Sequence, residues 1–196
     1  MISYPDYKTA TNAAYKMLAE RDLFSVVTNV FAIAEHLENC RVFSYGLTNF
    51  LFDTPLEDLL ANSEYGFSIK RKDKRIIYYN ENMPLASIRF TLAHEIGHAV
   101  LGHQDEDDPA AEKEANCFAR NLLCPVPTAH ALEIITQDDY VSVFNISGPM
   151  ADVTLKRRSS DEYYMEKRYA KIIDDKVYAF MMGYESLKEF ERYAYA

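Results

Sequence analysis

The pattern of apolar positions along this chain predicts mostly helices. Apolar side chains recur at helical spacing over residues 7–23 and again over residues 26–38. A proline followed by leucines at helical spacing predicts a short helix over residues 55–60. The same reasoning, with capping residues, glycines and prolines as boundaries, predicts the remaining helices over 85–101, 110–123, 128–136, 149–158, 161–171 and 185–195.

Alternation of apolar and polar residues predicts a small β-sheet. Residues 65–71 and 75–80 flank the charged turn Lys72-Asp73-Lys74 and predict a hairpin, and residues 41–45 predict a strand. Residues 172–180 have the pattern of a second small hairpin. We therefore expect an α+β fold that is mainly helical, with a small antiparallel sheet. A core over residues 1–130 and a C-terminal helical region over residues 131–196, packed on that core, are predicted.

Composition and charge narrow the class of protein. The net charge of −9 disfavours direct binding of nucleic acid or of an anionic membrane. We find neither a signal peptide pattern nor an apolar run that approaches the eighteen or so residues of a membrane span. Three cysteines without C-x-x-C spacing favour reduced thiols and a cytoplasmic protein. The acidic run over residues 105–108 is interpreted as the start of a helix rather than a calcium site.

The strongest chemical signal is His94-Glu95-x-x-His98 within the helix predicted over residues 85–101. Residues four apart on a helix lie on one face, so both imidazoles can reach a single metal ion while Glu95 projects beside them. Two imidazoles with an adjacent carboxylate are typical of a zinc hydrolase. A chance pair of histidines is the alternative, which the spacing disfavours.

The third ligand must come from elsewhere in the chain. A metzincin would carry glycine and histidine at the positions that Leu101 and Gln104 occupy here. His103 is one residue out of register and follows the predicted helix end at Gly102, so we interpret it as a loop histidine. The spacing therefore favours a carboxylate as third ligand, as in thermolysin-like sites.

The next predicted helix, capped by Asp108, carries Glu112 and Glu114. If the two helices form an antiparallel hairpin, Glu112 lies beside His98, whereas Glu114 points about 160° away and is expected to be solvated. We prefer Glu112 and keep Glu114 as the alternative. Asn116 lies on the same face as Glu112 and could accept a hydrogen bond from the outer nitrogen of a metal-bound histidine.

These residues define a reaction. Zinc held by His94, His98 and Glu112 would leave one position for water. Glu95 would accept a proton from the attacking water and deliver it to the departing amine. The developing anion needs a hydrogen-bond donor, and the candidates are His130, Arg89 and the fifteen tyrosines. We name His130 among them, with a surface histidine that has no role in the reaction as the alternative.

At these residues the chain resembles the ImmA/IrrE family of zinc metallopeptidases. The resemblance covers about residues 80–125 and lies in the segment Phe90-Thr91-Leu92-Ala93-His94-Glu95-Ile96-Gly97-His98 and in Glu112-x-x-Ala115-Asn116-x-Phe118-Ala119-x-x-Leu122-Leu123-x-Pro125. It implies a thermolysin-like core in which the small sheet packs on the zinc-binding helix pair. It also implies zinc on His94, His98 and Glu112, with Glu95 as catalytic base. The implied substrate is a helix-turn-helix repressor of a mobile element, prophage or stress regulon.

Two alternatives to this function stay open from sequence. A protein with the same fold could relieve repression by contact alone, without proteolysis, or a zinc hydrolase could act on a non-peptide substrate. The chain shows no convincing helix-turn-helix segment of its own. We therefore expect the repressor to be a separate protein chain, and we expect neither nucleic acid nor a membrane as a direct partner.

Overall fold

The structure is a computed structural model that describes residues 4–21, 25–72, 74–104 and 108–194. Within these ranges the elements in chain order are α1 Tyr7–Glu20, α2 Val30–His36, β1 Cys40–Ser44, α3 Tyr45–Phe52, α4 Leu56–Asn62, β2 Gly66–Arg71, β3 Lys74–Tyr79, α5 Leu85–Leu101, α6 Pro109–Leu123, α7 Val126–Ala131, α8 Gln137–Phe144, α9 Gly148–Tyr164, α10 Lys167–Met181 and α11 Leu187–Ala194. The predicted class, α+β and mainly helical, is confirmed.

The sheet has three strands in the order β1-β3-β2. Strands β2 and β3 pair antiparallel, with Gly66 opposite Tyr79, which confirms the predicted hairpin. Strand β1 instead pairs parallel to β3, with Cys40 opposite Arg75. The sheet is therefore mixed rather than wholly antiparallel. The sequence pattern shows where a strand lies but not its direction, and the helices α3 and α4 between β1 and β2 supply the long connection that a parallel pair requires.

Helices α5 and α6 form the hairpin that carries the motif. The bounds of α5 are those predicted, and its end is marked by Gly102 in the left-handed conformation, with φ of 73°. Asp108 caps α6 as expected, since its side chain accepts a hydrogen bond from the backbone nitrogen of Ala110. The helices approach each other closely at Gly97, where a Cβ atom would lie 3.2 Å from the Cα atom of Ala115. A glycine at this position lets the two backbones approach, which brings the motif face of α5 against α6.

The C-terminal region contains the largest correction. The hairpin predicted over residues 172–180 is wrong, because these residues belong to α10. Ile173 and Val177 are one helical turn apart and bury their side chains against Tyr15 of α1. Apolar residues four apart satisfy helical spacing as well as the strand pattern, and packing against α1 decides between them.

Other boundaries shift by a few residues. The helix predicted over residues 128–136 occupies Val126–Ala131, because prolines at 125 and 127 are accommodated at its start. Ser147 caps α9 as predicted, and that helix continues to Tyr164 before a short break precedes α10. The structure also contains helices α3 and α8, for which the sequence pattern makes no prediction. The terminal helix α11 confirms the prediction over residues 185–195 apart from its ends.

One hydrophobic cluster lies between α1, α2, α5 and α6 and also includes residues of the helices that follow α6. It extends from Ala10 to Ala151 and includes fully buried side chains of Leu92, Phe118 and Phe144. Because this cluster includes residues on both sides of position 130, the division into two regions stays a prediction. No helix in the described ranges has both the length and the apolar character needed to cross a membrane.

Four parts of the sequence predictions lie outside the described residues. These are the end of the first helix at Leu23, the turn residue Asp73, the acidic run over residues 105–107 and the terminal residue pair that includes Tyr195.

Candidate metal centre

Three side chains converge where α5 meets α6. His94 and His98 lie one turn apart on α5, and their Nε2 atoms are 3.0 Å apart. Glu112 of α6 places its Oε1 atom 3.1 Å from Nε2 of His98 and 3.6 Å from Nε2 of His94. The ligand atoms of all three residues lie within 4.8 Å of one another. Two imidazole nitrogens and one carboxylate oxygen at this separation form a donor set that suits zinc.

The cluster is closed on one side and open on the other. The side chain of His98 is 1% exposed, whereas that of Glu112 is 45% exposed. Glu95, next to His94 in sequence, is buried. Burial, with a smaller effect from the nearby negative charge of Glu95, raises the pKa of Tyr45 to about 12. Solvent therefore reaches the cluster from the Glu112 side, while the carboxylate of Glu95 is shielded from bulk water.

The three converging groups shift each other's protonation. Burial, together with the neighbouring His94, lowers the pKa of His98 to about 4. Burial opposes protonation of His94, but the carboxylates of Glu112 and Glu95 outweigh it and raise the pKa of His94. The neighbouring imidazole of His94 lowers the pKa of Glu112. At neutral pH the cluster thus contains an ionised carboxylate and, at His98, an imidazole with a lone pair available to a metal.

The outer ring nitrogen of His94, Nδ1, contacts Asn116, the residue predicted to accept a hydrogen bond from a metal-bound histidine. Nδ1 of His94 lies 3.1 Å from Oδ1 of Asn116 on α6. If Nε2 presents its lone pair to the cluster, Nδ1 carries the proton and donates it to the amide oxygen. Such a hydrogen bond fixes both the tautomer and the ring orientation of a ligating histidine.

The outer nitrogen of His98 has a partner that the sequence reasoning missed. Nδ1 of His98 lies 2.9 Å from Nδ1 of His103, and Nε2 of His103 lies 3.0 Å from Oε2 of Glu114. His103 does follow the helix end, as predicted, but the left-handed Gly102 turns the chain so that its ring returns to His98. The expectation that Glu114 is solvated is wrong, since its side chain is only 19% exposed. A histidine directly after the C-terminal glycine was the signal in the sequence.

Among the described residues, neither His130 nor Arg89, two of the candidate donors for an anionic intermediate, contacts the cluster. His130 is exposed on α7, and that helix packs against α10. Arg89 is buried and donates hydrogen bonds to the backbone oxygens of Thr28 and Phe144. The role of His130 stays a prediction without a contact to support it among the described residues, and Arg89 serves to join distant parts of the chain.

Comparison with known proteins places the chain in a family. A model of the IrrE N-terminal-like domain, peptidase family M78, matches residues 54–156, which is just over half of the chain. The matched range contains α5 and α6 and with them His94, Glu95, His98 and Glu112. Searches among curated proteins and among solved structures gave no match. The extent of the family match shows that this chain belongs to peptidase family M78, the metallopeptidase-like ImmA/IrrE family.

Proposed function

We propose that the protein is a zinc metalloendopeptidase that hydrolyses a peptide bond in a helix-turn-helix transcriptional repressor. The observation that supports this most directly is the convergence of His94, His98 and Glu112 with the buried carboxylate of Glu95 beside them. A metal-binding set next to a shielded carboxylate is what hydrolysis of an amide by activated water requires.

The roles of the residues follow from their positions. His94, His98 and Glu112 would hold zinc, which when bound acts as a Lewis acid toward water and the substrate carbonyl. Glu95 takes a proton from the water whose oxygen attacks the carbonyl carbon. It then delivers this proton to the amide nitrogen as the carbon–nitrogen bond breaks, so the products are a carboxylic acid and an amine. The exposed side of Glu112 leaves the substrate a path to the cluster.

The choice of substrate rests on family membership and charge. The helices that carry the motif resemble ImmA/IrrE proteins, and this resemblance supports a repressor as substrate. The net charge of −9 favours a protein partner over direct contact with nucleic acid. Cys40, Cys117 and Cys124 are free and buried, which supports a cytoplasmic location.

The test compares wild type with Glu95→Gln on the repressor encoded beside this gene, with and without a chelator. We expect cleavage of the repressor by wild type, loss of cleavage with chelator, and a decrease of about 10²–10⁴-fold in Glu95→Gln. Glu162→Gln, at an exposed position on α9, is the matched control and should cleave at the wild-type rate.

Two outcomes would contradict the proposal. Equal relief of repression by wild type and Glu95→Gln, with no cleavage product from either, would show that the protein acts by contact alone. Hydrolysis of ester or amide metabolites without any proteolysis would instead show a zinc hydrolase of small molecules.

A further inference from the structure

We propose that His103 and Glu114 form a positioning chain that holds the imidazole of His98 in the orientation required of a metal ligand. This inference rests on the proposed metal site. It assigns a role to two residues that neither bind the metal themselves nor contact the reacting atoms. The chain consists of three contacts, from His98 to His103, from His103 to Glu114, and from Glu114 to the backbone of Asp6.

The proton positions along this chain follow from one condition. If Nε2 of His98 presents its lone pair to the metal, Nδ1 of His98 carries a proton and donates it to Nδ1 of His103, 2.9 Å away. His103 then carries its own proton on Nε2 and donates it to Oε2 of Glu114, 3.0 Å away. Every donor meets an acceptor when His98 has the tautomer that metal binding needs, so the chain favours that tautomer.

Glu114, at the far end of this hydrogen-bond chain, is anchored to the N-terminal part of the protein. Oε1 of Glu114 accepts a hydrogen bond of 2.7 Å from the backbone nitrogen of Asp6. Asp6 is itself held in place because its side chain accepts hydrogen bonds from the backbone nitrogen and the hydroxyl of Thr9 in the first turn of α1. Both carboxylate oxygens of Glu114 are therefore engaged, one by the site and one by the N-terminal helix.

His103, the middle residue of this hydrogen-bond chain, is held in place by its own backbone. The nitrogen of His103 donates to the backbone oxygen of His98, 3.1 Å away, across the turn made by Gly102. The backbone oxygen of His103 accepts a hydrogen bond of 3.2 Å from the guanidinium of Arg75 in β3. The side chain of His103 is 9% exposed, so water competes little for its ring nitrogens. His103 is thus held from two sides before any metal binds.

The experiment measures zinc affinity of the full-length metal-free protein by competition with a chromophoric chelator. We expect His103→Ala to bind zinc about 10–100-fold more weakly than wild type. His103→Asn should recover most of this loss, because its amide oxygen can accept the proton of His98 where Nδ1 of His103 did. Glu114→Ala should weaken binding less than His103→Ala, since His103 would remain in contact with His98.

Controls separate positioning from general effects. His36→Ala and Glu162→Ala remove exposed side chains on α2 and α9 and should leave zinc affinity unchanged. Glu112→Ala removes a ligand itself and should weaken binding more than His103→Ala does. The cobalt-substituted forms add a spectroscopic readout, because a reoriented His98 changes the visible absorption of cobalt in His103→Ala but not in His36→Ala. Thermal unfolding of the metal-free forms reports whether each variant is folded.

The outcomes that overturn the inference are specific. Zinc affinity of His103→Ala within about twofold of wild type would show that His98 needs no such partner. If His103→Ala and His103→Asn lose the same zinc affinity, and their metal-free forms are destabilised equally, His103 has a packing role only. Unchanged affinity in Glu114→Ala would end the chain at His103. Absence of proteolysis alongside the expected affinities would contradict the proposed function while leaving this inference intact, whereas a wild-type protein that binds no zinc would overturn both.

Discussion

The polar side chains in the two halves of α6 have different surroundings, since those of the first half are accessible to solvent and those of the second half are buried. The first half, residues 109–116, contributes Glu112, Glu114 and Asn116 to the candidate metal centre, and these side chains are partly or largely accessible. The second half, residues 117–123, contributes Arg120 and Asn121 to a network that is buried between α1, α6 and α9. One helix thus carries a site open to solvent and a closed polar core.

The buried network pairs each of its polar groups. Arg120 donates two hydrogen bonds to the carboxylate of Asp161 on α9, with distances of 2.8 Å and 2.7 Å. The hydroxyl of Tyr15 on α1 donates to Oδ1 of Asn121 at 2.7 Å. Asn121 in turn donates to the backbone oxygen of Cys117 at 2.9 Å. Charges cancel and donors meet acceptors, which is how buried polar groups are tolerated in a structural core.

The candidate metal centre differs from this network in how its hydrogen-bonding atoms are matched. Two imidazole nitrogens and a carboxylate oxygen face one another there, and when both imidazoles present their lone pairs, three acceptors meet without a donor between them. A cation satisfies such a set, whereas Arg120 and Asp161 satisfy each other. Proximity and burial alone therefore do not distinguish the candidate functional site from the structural core in this chain. The two differ in whether their hydrogen-bond donors and acceptors are paired with each other.

The largest expected effect breaks the closed network. Asp161→Asn leaves the buried guanidinium of Arg120 without its counter-charge, and we expect a loss of about 3–5 kcal/mol in the free energy of unfolding. Urea denaturation measures this loss. Zinc affinity of the folded protein should stay at the wild-type value, because the network does not contact the metal ligands in the described structure.

A double variant serves as control. Arg120→Met with Asp161→Leu removes both charges and should recover much of the stability that Asp161→Asn loses. A loss below about 1 kcal/mol in Asp161→Asn would contradict the view that the second half of α6 is a closed ion-pair network.

A smaller effect is expected in the first half of α6. Asn116→Ala removes the acceptor for Nδ1 of His94, and we expect zinc affinity to fall by about 10–100-fold with little change in the stability of the metal-free protein. Competition with a chromophoric chelator measures the affinity. Lys113→Ala, an exposed neighbour on α6, is the control and should bind zinc as wild type does. A stability loss like that of Asp161→Asn, without a change in affinity, would remove the distinction between the two halves.

The smallest effect concerns an ion pair outside both clusters. Lys156 and Asp152 on α9 lie 2.6 Å apart, but their side chains are 71% and 46% exposed. Lys156→Ala should change the free energy of unfolding by no more than about 0.5 kcal/mol, because solvent screens an exposed pair. The same urea denaturation measures it. A loss approaching that of Asp161→Asn would show that burial is not what makes the Arg120 pair important.

The candidate site could be predicted in part because much of it follows from local spacing. His94 and His98 share a helix face wherever that helix lies, and a capped helix after a short connection brings Glu112 and Asn116 within reach. The contacts that His103 and Glu114 make could not be predicted from local spacing, for a physical reason. Their contact depends on the left-handed turn at Gly102 and on the N-terminal segment at Asp6, which is more than a hundred residues away in the chain.

The same division holds for the fold. Sequence by itself determined the bounds of α5, the cap and prolines that bound α6, the hairpin of β2 and β3, and the spacing of the motif, because each depends on residues within a few positions of one another. Tertiary structure alone decided that β1 pairs parallel to β3, that residues 172–180 are helical against Tyr15, and that Arg120 meets Asp161. Those contacts join segments far apart in the chain, where local preference is weak and burial of shared surface selects the outcome.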